Sequence, residues 1–132
     1  MTIRSFVTLS PLLFACALAV VTAHGEETAQ KYPDVIGVEV EPEASGSYLF
    51  SVTLSSPYDS PQRYADAFRI RTADGTQLGV RQLLHHHADE QPFTRRLGGV
   101  EIPEDVDTVV VEGRDQKHGY GGGVKEVRLP ER

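Results

Sequence analysis

From Val35 to Leu129 the chain is cut into short runs rich in β-branched and aromatic residues, separated by Gly, Pro, Ser and Asp. No stretch of useful length carries the 3.6-residue repeat of an amphipathic helix. This pattern restricts the fold sharply, because a half-buried strand needs apolar side chains at every second position and turn residues at its ends. Val35 to Val40 alternates, with Ile36, Val38 and Val40 read as the apolar face. Tyr48 to Leu54 (YLFSVTL) has the aromatic and β-branched content of a strand packed on one side. Phe68 to Thr72 alternates strictly and runs into Ala73-Asp74-Gly75; Asp-Gly followed by Leu78 and Val80 is a hairpin signal. Phe93 to Leu97, Thr108 to Val111 and Val124 to Leu129 complete the set, with Ser55 to Arg63 and the Gly-rich Gly119 to Gly123 read as loops. About seven short strands predict an all-β fold, an antiparallel two-sheet sandwich.

The first 23 residues read as a targeting signal. Arg4 gives a positive start, and Pro11 to Val21 (PLLFACALAVV) is apolar but shorter than the ~20 residues that a membrane span needs. Val21-Thr22-Ala23 offers small residues for cleavage after Ala23. The competing reading is a lipobox at Leu13-Phe14-Ala15-Cys16, against which stand the bulk of Phe14 and the apolar run continuing past Cys16. Cleavage after Ala23 leaves 109 of the 132 residues. Residues 24–32 then form a flexible polar lead-in and residues 33–132 a single sandwich domain. The predicted destination is the periplasm or the exterior, with no stable membrane insertion once the signal is gone.

Composition then removes whole classes of function. The single cysteine, Cys16, and the single methionine, Met1, both lie in the signal. The mature chain therefore has no thiol or thioether for cysteine catalysis, iron–sulfur clusters, blue copper or methionine-rich copper(I) sites. The formal net charge is −6, and the signal carries one arginine and no acidic residue, so the mature chain is at −7. Such a balance argues against nucleic-acid partners, whose binding rests on basic residues that release counterions.

The segment LGGVEIPEDVDTVVVEGRD (Leu97 to Asp115) resembles the passage from strand E to strand F in fibronectin type III and related immunoglobulin-like domains. That resemblance implies a fold and no activity. The whole mature chain also resembles a group of small exported bacterial proteins, through SPYDSPQRYADAFRI, HADEQPFTR and GRDQKHGYGGG. No activity is established for that group, so none is implied.

The chemistry-bearing stretch is LLHHHADEQPFTRR (Leu83 to Arg96). If Gln77 to His87 is one strand with Leu78, Val80 and Leu84 on the core face, His86 continues that face. His85 and His87 then point together to the other side, about 6.6 Å apart, close enough to converge on one metal ion. Asp89 or Glu90 can add a carboxylate, and His118 is the remaining downstream histidine. Cleavage after Ala23 would make His24 the N-terminus, and an N-terminal histidine can chelate copper(II) through its amine and ring. In this His24 resembles lytic polysaccharide monooxygenases and some periplasmic copper-binding proteins, a resemblance that reaches His24 and no further residue.

Against the metal reading stands a plainer one, that histidines at a strand end are solvated or bonded to nearby backbone and carboxylates. The sequence favours it, because a metal site needs three or four converging ligands and the spacing supplies two. Among the aromatics, Phe68 and Tyr64 are expected to pack under the 55–63 loop. Gly119 to Gly123 is not a phosphate loop, since no Lys-Ser/Thr or helix follows. As a hairpin tip it would offer Tyr120 and His118 to a partner. No G-x-S-x-G elbow or H-E-x-x-H motif is present. The expectation is a non-catalytic binding or accessory module, not an enzyme, which meets an unknown protein or small ligand through loops around His85 to Phe93 and His118 to Gly123. The alternative is a copper(II) or zinc binder using His85 and His87, with His24, His118 or Asp89 as further ligands.

Overall fold

The computed structural model describes residues 29–132, so the signal segment, Cys16 and His24 lie outside it. Seven strands follow one another: β1 (Asp34–Pro42), β2 (Tyr48–Ser55), β3 (Ala65–Arg71), β4 (Gln77–Gln82), β5 (Phe93–Val100), β6 (Thr108–Asp115) and β7 (Gly119–Arg128). They form a three-stranded sheet in the order β1-β2-β5 and a four-stranded sheet in the order β4-β3-β6-β7. All neighbours are antiparallel. Among the described residues no helix is long and apolar enough to cross a membrane. The all-β two-sheet sandwich read from the alternation is the fold observed.

Alternation builds the core. Tyr48, Phe50, Val52 and Leu54 of β2 are buried, and the residues between them are only partly so. Phe68, Ile70, Val109 and Val111 of the second sheet complete one cluster with them, closed by Phe93, Val100 and Ile102. Burying one such side chain fully is worth about 1.5–3 kcal/mol. Phe68 packs in the core as expected, while Tyr64 is only half-buried.

Three local readings are corrected by the structure. In β1 the register shifts between Val35 and Gly37, so Ile36 is the extra residue of a bulge. Val35 is therefore buried, Ile36 is 48% exposed, and Val38 and Val40 return to the core. Gly119 to Gly123 is not a loop but the first half of β7, paired with β6 through Gly113↔Gly121, Arg114↔Tyr120 and Asp115↔Gly119. The reason is close approach: a Cβ at Gly121 would stand 2.7 Å from the Tyr32 ring, and one at Gly113 would stand 2.7 Å from Pro33. Only bare backbone lets the strap Tyr32-Pro33-Asp34 lie across β6 and β7. Finally, β4 ends at Gln82, and Leu83, not Leu84, is buried; Leu84 is 82% exposed. The proposed core parity through Leu84 is thus inverted, and the histidines stand on a bent loop instead of a continuing strand.

The pairings Asp34↔Ser55, Leu54↔Phe93, Ala67↔Gln82, Ala65↔Asp115 and Asp115↔Gly119 bring the strap, the 56–64 and 83–92 loops and the β6–β7 turn to one end of the sandwich. All four described histidines, His85, His86, His87 and His118, are at that end.

Candidate functional site

The 83–92 loop is held by hydrogen bonds from residues far away in sequence. The Leu83 N–H donates to the Asp66 carbonyl at 2.8 Å, extending the chain one residue past β4. The buried Asp59 then ties two loops together: Oδ1 accepts the Ala65 N–H at 3.0 Å, and Oδ2 accepts the His87 N–H at 2.9 Å. Gln91 makes a second tie, its Oε1 accepting the Ser56 N–H at 2.8 Å and its Nε2 donating to the His87 carbonyl at 3.0 Å. These bonds fix the backbone of His87 on both sides.

Its ring is fixed by stacking. The imidazole of His87 lies on Phe93 with centroids 3.9 Å apart and planes 10° from parallel. The His85 ring lies 4.8 Å from it, tilted by 34°. The two histidines do meet, as expected, although a bend and not strand alternation brings them together. His87 is only 5% exposed, and neither of its ring nitrogens has a hydrogen-bond partner among the described residues. Burial, followed by the charge of Arg95 and by His85, lowers its pKa below the ordinary histidine value; Asp59 and Glu90 act in the opposite direction without reversing it. His87 is thus a neutral imidazole at pH 7.

Neutrality in the fold makes a stability prediction. The unfolded histidine titrates near 6.5, and the folded one titrates lower. The unfolded state therefore binds more protons as the pH drops, so stability is complete above about pH 6.5 and is lost progressively below it. Denaturant unfolding at pH 7.5 and pH 5.0 is expected to show a larger loss for the wild type than for His87→Phe, which keeps a flat ring on Phe93. Equal losses would place the pH dependence elsewhere.

Beside this pair opens a cleft of about 400 Å³, walled by residues 81–85 together with His87 and Arg95. Arg95 is engaged by the exposed Glu90, Nη2 to Oε2 at 3.0 Å, and this hydrogen bond holds the Glu90 carboxyl below its ordinary value. Arg81 has no carboxylate within ion-pairing distance among the described residues; its Nη1 donates to the Arg96 carbonyl at 3.2 Å. The lining therefore combines two guanidiniums, two imidazoles, the Gln82 amide and an apolar wall, and includes no acidic side chain.

The other expected ligands fall apart from the pair. His118 sits in the β6–β7 turn, where its N–H donates to Asp115 Oδ2 at 2.8 Å and its ring meets Tyr32 edge-on at 6.1 Å. Asp89 is exposed in the turn after His87, and His24 lies outside the described residues. Among the described residues no three His, Cys, Asp or Glu side chains gather as a metal-holding group. Tyr120 is not a free tip residue, for its ring lies under Arg69 at 4.0 Å and near Arg114 at 5.9 Å. Arg63 fastens the chain ahead of the strap: it pairs with the fully buried Asp115 at 3.1 Å and donates to the carbonyls of Gln30 and Lys31. Sequence reasoning missed Asp59 and Arg81. An Asp in a loop bracketed by Pro57 and Pro61 was the available signal for the first, since such residues commonly cap backbone N–H groups. Arg81 carried no signal beyond its place beside Val80 at a strand end.

No protein-family model matches the chain. A protein of Halomicrobium mukohataei named "Putative lipoprotein" is similar to it, 43% identical over 89 residues that make up 67% of this chain and 43% of that protein. The chain thus spans less than half the length of this relative. Among solved structures, the superoxide reductase (1Fe-SOR) from Giardia intestinalis aligns over 73% of this chain and 99% of that one, at 12% identity and a TM-score of 0.43. Likeness at that level carries neither a fold type nor an activity to this chain.

Proposed function

We propose that the chain is an exported, non-catalytic binding module that takes its ligand at the histidine end of the sandwich. Export is supported by the signal-like first 23 residues and by the name of the Halomicrobium protein. That name also favours acylation at Cys16 as the alternative to cleavage after Ala23. A fibronectin type III-like form is supported by the strand order, in which β4 sits beside β3. In constant-type immunoglobulin domains the fourth strand instead joins the sheet of the first.

One observation carries the binding reading: a buried imidazole with both nitrogens unpartnered stands in the wall of a cleft. Buried polar groups are ordinarily satisfied, and an orphan costs about 1–3 kcal/mol, so an exception at a cleft marks where a ligand is expected. The lining holds charge and hydrogen-bonding groups but no hydroxyl or thiol beside a base, which supports binding over catalysis. A second reading, copper(II) or zinc on His85 and His87, rests on their 4.8 Å approach. The guanidiniums of Arg81 and Arg95 oppose it, because they raise the energy of a cation in the same cleft. The test is amide and histidine-ring NMR against a small-molecule panel. Saturable shifts are expected to gather on residues 81–95; hits scattered over both ends of the sandwich would refute a dedicated site.

A further inference from the structure

We infer that the cleft is built for a small carboxylate with an apolar body, the carboxylate on Arg81 and the apolar part against Leu84. This rests on the binding reading above and names its ligand class. The chain as a whole is strongly acidic, with 19 Asp and Glu against 13 Lys and Arg. Yet the charged residues of this cleft are Arg81 and Arg95, and with Arg95 paired to Glu90 an anion entering it meets the uncompensated guanidinium of Arg81. Arg95 already carries a carboxylate, that of Glu90, in a two-nitrogen, two-oxygen arrangement at 3.3 and 3.0 Å. That pairing is an internal copy of the contact proposed for Arg81. Arg81 spends one donor on the Arg96 carbonyl, and its planar fork of five N–H groups matches a carboxylate better than any neutral acceptor.

The apolar half follows from Leu84. A leucine 82% exposed beside a buried Leu83 gives the cleft a hydrocarbon shoulder that water covers poorly. A phosphate or sulfate, polar on every side, would leave that shoulder wet. A volume of about 400 Å³ is at the low end for small-ligand sites, which run from about 300 to 1,000 Å³. His87 adds to the polarity that Gln82 and His85 contribute, since its neutral ring can donate one hydrogen bond without bringing a second charge. His85 lies against that ring at 4.8 Å, so both imidazoles report a ligand that reaches it.

The test titrates the purified protein with four probes: hexanoate, hexanol, inorganic phosphate and zinc(II). The readouts are the methyl signals of Leu84 and the ring signals of His85 and His87. Hexanoate is expected to give saturable shifts at all three, with hexanol and phosphate at least about tenfold weaker. Arg81→Gln is expected to weaken hexanoate by about tenfold or more, the usual scale for a hydrogen bond to a charged group. His87→Phe keeps the stack and is expected to weaken it by a smaller factor. The amide spectrum of each variant reports that its fold is intact. Hexanol binding as well as hexanoate would overturn the carboxylate assignment and leave the binding module standing. Phosphate binding better than hexanoate would overturn the apolar half. Zinc alone shifting the histidine rings would replace the inference by the metal reading. Silence from all four probes would overturn the inference, while the binding reading falls only if the wider panel also leaves residues 81–95 unshifted.

Discussion

Gly122→Ala is expected to lower stability by about 3 kcal/mol or more, an effect larger than most point substitutions produce. Two costs add at this position. Its φ of +83° is a conformation that L side chains rarely adopt, which costs roughly 1–2 kcal/mol. A Cβ there would also run into the Pro33 carbonyl oxygen and stand 2.9 Å from the Tyr32 Cβ, so backbone must move. What moves is the strap, and with it the 2.7 Å hydrogen bond from the Gly123 N–H to Asp34 Oδ1. Gly46 provides the matched control, having a φ of +84° and nothing within 4 Å of its would-be Cβ. Gly46→Ala should therefore show the conformational cost alone. For a domain near 100 residues the expected fall in melting temperature is roughly 12–24 °C at Gly122 and about 4–16 °C at Gly46. Thermal unfolding followed by circular dichroism separates them. Equal shifts would mean that the strap can leave β7 at no cost.

The same glycines show where sequence reasoning stops. All seven strands were legible, because β-branched and aromatic alternation and the Asp-Gly turn at Asp74-Gly75 are local signals. Gly119 to Gly123 was not legible as strand, because glycine is a poor strand former and its pairing here is imposed by the strap some 90 residues earlier. The exchange of Val35 for Ile36 at the start of β1 and the inverted Leu83-Leu84 pair have a related cause. A bulge or a strand end changes parity without leaving a mark in the composition, and two adjacent leucines do not say which one faces the core. At the site, strand alternation places His85 beside His87, and the structure brings the two together through a bend instead. The burial of His87 was not legible, for it depends on Phe93 arriving from another strand and on Asp59 capping its N–H from 28 residues away.

Asp59→Ala is expected to unseat the site and destabilise the fold together. Its two oxygens serve the N–H groups of Ala65 and His87, both of which are buried residues. Alanine accepts neither bond, and each buried donor left unpaired costs about 1–3 kcal/mol, so the sum should fall at about 2–6 kcal/mol. Asp59→Asn keeps one carbonyl oxygen but turns an amide NH2 toward the second donor, so it should lie between alanine and wild type. The effect on the cleft is more specific than the loss of stability. With its N–H uncapped, His87 is held on its carbonyl side by Gln91 and the Glu90 N–H, and on its ring by the Phe93 stack. Amide exchange at His87 should then accelerate with the global decrease and beyond it, while exchange at Val52 or Val111 follows the global decrease only. The His85 and His87 ring signals should shift at the same time. A variant that loses stability while His87 exchange merely tracks the core would show that Gln91, the Glu90 N–H and the ring stack suffice to hold the histidine loop, and that Asp59 serves the entry into β3 alone.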